Sequence, residues 1–150
     1  MKEQFWTTER IYEETMQHVA PLPSQAAYAR NLAAIFSMHI HKNQLIDDGI
    51  SSDELPAPSA VVVAPTGQGK TYLIQKMAEY VGLNVIIIDC GTLAAEGWKG
   101  ISLSQRLAAA FKEVKDEDTF ARSFLFLDEV DKLKFWGTKN DQGNAMTSLL

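Results

Sequence analysis

The sequence predicts an α/β fold, a parallel sheet with flanking helices, from three stretches of its 150 residues. Ala60-Val61-Val62-Val63 runs into Ala64-Pro65-Thr66-Gly67-Gln68-Gly69 and then Lys70-Thr71, the pattern of a buried strand, a glycine turn and a helix start. Leu83-Asn84-Val85-Ile86-Ile87-Ile88-Asp89 is a continuous β-branched run bounded by polar residues, and Ser123-Phe124-Leu125-Phe126-Leu127 is an apolar run that ends in Asp128-Glu129. Continuous rather than alternating apolar strands are covered on both faces. With helical patterns between them, they form a parallel sheet joined by helical crossovers.

Phe5, Tyr12, Met16 and Val19 fall on one helical face, so the first segment is predicted to be an amphipathic helix starting at Thr7 or Thr8, with Glu9 in its first turn. Pro21 and Pro23 then forbid helix continuation and stiffen an extended loop. A second helix is predicted over about 25–42, where Leu32, Ile35, Phe36, His39 and Ile40 recur at three- and four-residue spacing. His39 and His41 point to different faces, which suits packing or capping better than a metal pair. Residues 47–59 are polar, with two prolines and a glycine, and read as an exposed linker. After the glycine turn, a helix over 71–81 buries Leu73, Ile74, Met77 and Val81, and Gly82 ends it. A further helix over 103–114 turns Leu103, Leu107, Ala110 and Phe111 inward.

The chemistry lies at the glycine turn. Gly67 and Gly69 let backbone N–H groups converge, and the following helix adds its positive dipole end, so Pro65, Thr66, Gly67, Gln68 and Gly69 form a phosphate-binding loop. Lys70 would reach the β/γ-phosphates and assist catalysis, the Thr71 hydroxyl would ligate Mg²⁺, and Tyr72 joins the nucleotide-contacting set. Ala64 stands where the loop pattern has its first glycine, a mild departure because that position closes the strand. Four apolar residues followed by Asp-Glu make a Walker B segment. Asp128 would hold the same Mg²⁺, and Glu129 would orient and deprotonate the attacking water.

Composition bounds the class. The chain is 46% hydrophobic and 22% charged, ordinary for a domain with a core, and its net charge of −5 with pI near 5.1 argues against a surface built to coat nucleic acid. The opening MKEQFWTTER has no signal-like apolar region, and no run approaches the roughly 18 apolar residues of a membrane span. Cys90, the single cysteine, excludes an internal disulfide and suits a small buried residue at a strand end. A cytoplasmic location is expected.

Walker A together with FLFLDEVDKL, in its Asp-Glu-x-Asp-Lys form, resembles the AAA+ ATPases, and among them the ClpX-like Clp ATPases. Leu22-Pro23-Ser24-Gln25 stands where that family has an apolar pair, a small residue and Gln before its first helix, and the resemblance implies that Leu22 and Pro23 pack on adenine. Leu32, Ala33 and His39 keep the family's spacing, and IIIDCGTLAAEGWKG is similar to its strand and following loop. Gly97-Trp98-Lys99-Gly100 corresponds to the aromatic pore loop that grips extended polypeptide. Two glycines give a mobile tip, and an aromatic ring grips by contact area without reading sequence. Trp98 also suits a core position beside a turn, and Lys99 replaces an aliphatic residue.

The resemblance implies a P-loop NTPase of the AAA+ type whose large subdomain is incomplete: residues 1–20 form an N-terminal helix and entry loop, and 21–150 a nucleotide-binding subdomain without its sensor and lid regions. It further implies ATP and Mg²⁺ as ligands, a ring that is hexameric when complete, protein substrates to be unfolded, and room for a protease partner. Two alternatives stay open: a DNA-directed relative of the helicase-loader or clamp-loader kind, and a module that binds ATP without hydrolysing it. The acidic charge balance disfavours the first.

Overall fold

The computed structural model describes residues 5–19, 21–63, 65, 67–93 and 100–132. The chain divides into two compact units, Met1–Asn84 and Val85–Leu150. Each has its own packing.

In the first unit, α1 (Thr8–Glu14) starts where predicted: Thr7 caps it, its hydroxyl oxygen accepting from the Arg10 N–H at 3.3 Å. A π-type turn, Thr15–Val19, continues it toward Pro21. The buried face is centred on Ile11 and Thr15 rather than on the predicted Phe5, which is 58% exposed. Thr15 tolerates burial because its hydroxyl donates to the Ile11 carbonyl at 2.6 Å. The helix α2 (Ala26–Asp47) runs more than a turn beyond its predicted end and buries Ala29, Leu32, Ala33 and Phe36. It packs against α1, with Arg30 paired to Glu9 at 3.0 Å and lying over the Tyr12 ring at 4.4 Å.

Residues 60–63 correct the sequence reading. They form no strand, and Val61, Val62 and Val63 are 53%, 39% and 90% exposed. A strand needs a hydrogen-bonded neighbour, and the described residues of this unit contain no other strand for this run to pair with. The helix α3 (Lys70–Val81) matches its prediction closely, burying Leu73, Ile74, Met77 and Ala78. Gly82, at φ 72°, turns the chain out of the helix, and the Leu83 N–H closes it on the Ala78 carbonyl at 2.8 Å. Tyr80 of α3 donates to Glu14 at 2.7 Å and stacks on His18 with centroids 5.3 Å apart.

The second unit holds the sheet. Strands β1 (Val85–Asp89) and β2 (Phe124–Asp128) pair in parallel, Val85 opposite Phe124 and Asp89 opposite Asp128. Parallel pairing requires a long connection. It runs through α4 (Leu103–Val114) and a short α5 (Glu117–Ala121) that periodicity did not reveal. The core gathers Ile88, Cys90 and Leu93 with Ile86, Leu103, Leu107 and Leu127 packed against them. Cys90 is fully buried, and burial, with the neighbouring charges of Asp89 and Asp128, raises its thiol pKa and keeps it protonated.

Phe111, predicted to face inward, is instead 42% exposed and meets Phe120 of α5 edge to face at 5.2 Å. The added α5 supplies that partner. Asp116 caps α5 by accepting from the Thr119 N–H at 2.8 Å and from the Thr119 hydroxyl, which together lower the pKa of its carboxyl. No helix among the described residues is long and apolar enough to cross a membrane.

Candidate functional site

The predicted phosphate loop lies in the first unit. Gly67 and Gly69 adopt φ 81° and φ 69°, left-handed conformations that disfavour residues with a Cβ, and Gly69 is the N-cap residue of α3. The loop therefore turns as the glycine spacing requires and delivers its chain to the N-terminus of a 12-residue helix. Lys70 curls back so that its ammonium donates to the Pro65 carbonyl at 3.1 Å, keeping the cation over the loop that precedes it. Thr71 is half-buried in the first turn. A glycine turn, a helix N-terminus and a lysine ammonium on the same few residues fit a polyphosphate.

A contact that the sequence did not announce joins this loop to residues far upstream. The Gln25 side-chain N–H donates to the Gln68 carbonyl at 2.6 Å, and the Gln25 side-chain oxygen accepts from the Leu22 N–H at 2.9 Å. A Cβ on Gly69 would stand 2.7 Å from the Gln25 amide nitrogen. Leu22 is 64% exposed, available to a ligand. Tyr72 is placed otherwise: it is 58% exposed and lines an open groove with His18, Val19, Lys76, Glu79 and Tyr80. Thr66 lies outside the described residues.

A separate acidic cluster lies in the second unit. The parallel register sets Asp89 beside Asp128 at the C-terminal ends of β1 and β2, the edge where open parallel sheets present their ligands. Asp128 accepts from the Glu129 N–H at 3.0 Å. Glu129 itself sits at φ 53°, an uncommon conformation for a residue with a side chain. Its carboxylate accepts from the Lys132 ammonium at 2.7 Å, and that hydrogen bond, aided by the negative charges of Glu129, Asp131 and Asp89, raises the Lys132 pKa.

Gly91 completes this cluster, a role that its sequence neighbours do not announce. Its N–H donates to Asp89 at 2.9 Å, and a Cβ there would stand 2.6 Å from a Glu129 carboxylate oxygen. The glycine admits the Glu129 carboxylate against the backbone. Only spatial proximity reveals it, because Gly91 and Glu129 sit on different strand ends. Of the predicted pore loop, Gly97, Trp98 and Lys99 lie outside the described residues, and Gly100 is described at φ 133°.

Comparison with known proteins places the chain beside ATPases. The model of the ATPase family associated with various cellular activities (AAA) matches residues 60–150. The ATP-dependent Clp protease ATP-binding subunit ClpX of Borrelia duttonii is 32% identical over 81 residues, which cover 53% of this chain and 19% of that protein. The ClpX subunit of Porphyromonas gingivalis is 27% identical over 109 residues, covering 70% of this chain and 26% of that protein. The chain thus spans about a fifth to a quarter of the length of these curated relatives.

Proposed function

The chain belongs to the AAA family of ATPases, and from that premise we propose that it is the ATP-binding part of a ClpX-like machine that couples hydrolysis to protein remodelling. The observation that carries this reading is the left-handed turn at Gly67 and Gly69 opening α3, with the Lys70 ammonium held over the loop. Backbone N–H groups of the loop and Lys70 take the phosphates, while Leu22 and Pro23 take the base. Thr71 and Asp128 are the residues to hold Mg²⁺, which when bound neutralises charge on the phosphate oxygens.

Glu129 acts as general base. Its carboxylate accepts the proton of the attacking water, and Gly91 and Lys132 fix where that carboxylate stands. In the assembled ring, Trp98, flanked by Gly97, Lys99 and Gly100, grips the polypeptide by ring contact area. The relatives are named as ATP-binding subunits of a Clp protease, so a protease partner belongs to the same reading.

Glu129→Gln removes the proton acceptor and keeps the shape. Turnover by the assembled protein should fall at least about a hundredfold, the scale of a positioned acid or base, with ATP affinity retained. Undiminished turnover by this variant would remove Glu129 from the role.

A further inference from the structure

We propose that Gln25 is a positioning residue that couples recognition of the base to the conformation of the phosphate loop, an inference that rests on the nucleotide reading above. One planar amide serves both segments. Its oxygen holds the Leu22 N–H at 2.9 Å, and its nitrogen donates to the Gln68 carbonyl at 2.6 Å. Both partners fix the orientation of the amide, because an N–H needs the carbonyl oxygen and a carbonyl needs the NH₂ group. A flipped amide would lose both bonds.

Gly69 makes room for this bridge. Any side chain there would meet the Gln25 nitrogen at 2.7 Å as well as strain the backbone at φ 69°. The turn Pro23–Gln25 that precedes α2 and the turn that precedes α3 are thereby tied together inside one unit, although Gln25 and Gln68 are 43 residues apart in the chain. A ligand that touches both Leu22 and the loop finds them already set relative to each other. It therefore avoids the ordering cost that two independent segments would impose. A ligand that touches only the loop gains nothing from the bridge.

Two probes separate these cases: Mg-ATP, which has a base, and Mg-tripolyphosphate, which has none. Affinities are measured by calorimetry for the wild-type chain, Gln25→Ala and Gln25→Glu. Gln25→Glu keeps the acceptor for Leu22 and loses the donor to Gln68, so it preserves the turn before α2 while cutting the bridge. Its added negative charge opposes tripolyphosphate, the more highly charged ligand, at least as strongly as ATP, so charge alone does not shrink the preference for ATP.

In both variants ATP should weaken about fivefold, the scale of one lost solvent-accessible hydrogen bond, beyond any loss of tripolyphosphate. The preference for ATP over tripolyphosphate then shrinks by that factor. Equal weakening of the two ligands would overturn the coupling and leave Gln25 a support of the loop alone. Unchanged affinities would overturn it as well. A wild-type chain that binds tripolyphosphate but shows no preference for ATP would contradict the inference while sparing the phosphate site, and one that binds neither would overturn the nucleotide reading itself.

Discussion

Glu129 carries the most demanding geometry of any single residue in the candidate site. It combines φ 53° with an ion pair to Lys132 at 2.7 Å and a carboxylate lodged where Gly91 has no side chain. Because the atom that a Cβ at position 91 would meet is the far end of a flexible side chain, Gly91→Ala should displace the carboxylate without unfolding the unit. We expect turnover to drop by up to about a hundredfold, as for a displacement of roughly 1 Å, with ATP affinity unchanged. Parallel loss of affinity and rate would show that Gly91 supports the fold rather than the placement of Glu129.

The Glu129–Lys132 pair also has a definite pH sense. The Lys132 pKa is raised, chiefly by its hydrogen bond to Glu129, so the lysine's share of the pair is in place below the ordinary lysine value and is lost as pH rises through the raised one.

Gly67, Gly69 and Lys70 were legible in the sequence because each residue type answers a local demand, a left-handed turn or a charge at a helix start. Gln25 and Gly91 were not, because what each does depends on a residue distant in sequence.

Among the elements, α3 and α4 match their predicted bounds closely, while α5 has no periodic signal and the 60–63 run forms no strand. Helices declare themselves through spacing and caps held within the segment. Ser102 and Gln105 show it: the Gln105 side chain accepts from the Ser102 N–H at 2.9 Å, and the Ser102 hydroxyl accepts from the Gln105 N–H at 3.4 Å. Ser102 is 5% exposed, so Ser102→Ala should cost about 1 kcal/mol, read from denaturant midpoints. A change within a few tenths would mean that water or Ser104 replaces the cap.

A strand has no such self-sufficiency. Val61-Val62-Val63 has the right composition, yet an apolar run does not state who its neighbours are, and these residues stay exposed. The β1–β2 pair formed because a helical crossover returns the chain in parallel.

At the scale of the whole molecule, the family assignment rests on residues 60–150, which contain both the phosphate loop and the Asp128-Glu129 strand end. The α/β class was legible from the apolar runs and the glycine turn. The role of residues 97–99 rests on resemblance, and it makes a separable prediction. In the assembled ring, Trp98→Ala should leave ATP turnover within about twofold while stopping the unfolding of a tagged substrate, since the contact area of the aromatic ring is what grips. A variant that unfolds substrate at the normal rate would remove the pore assignment and leave the ATP site untouched.

The central claim is that Gly67–Lys70 is a nucleotide site, and titration of Mg-ATP into the wild-type chain and Lys70→Ala tests it most directly. Saturable binding by the wild type, weakened at least about tenfold in the variant through loss of a charge-assisted contact, is the predicted result. Absence of binding by the wild type, or equal affinity in the two, would contradict it.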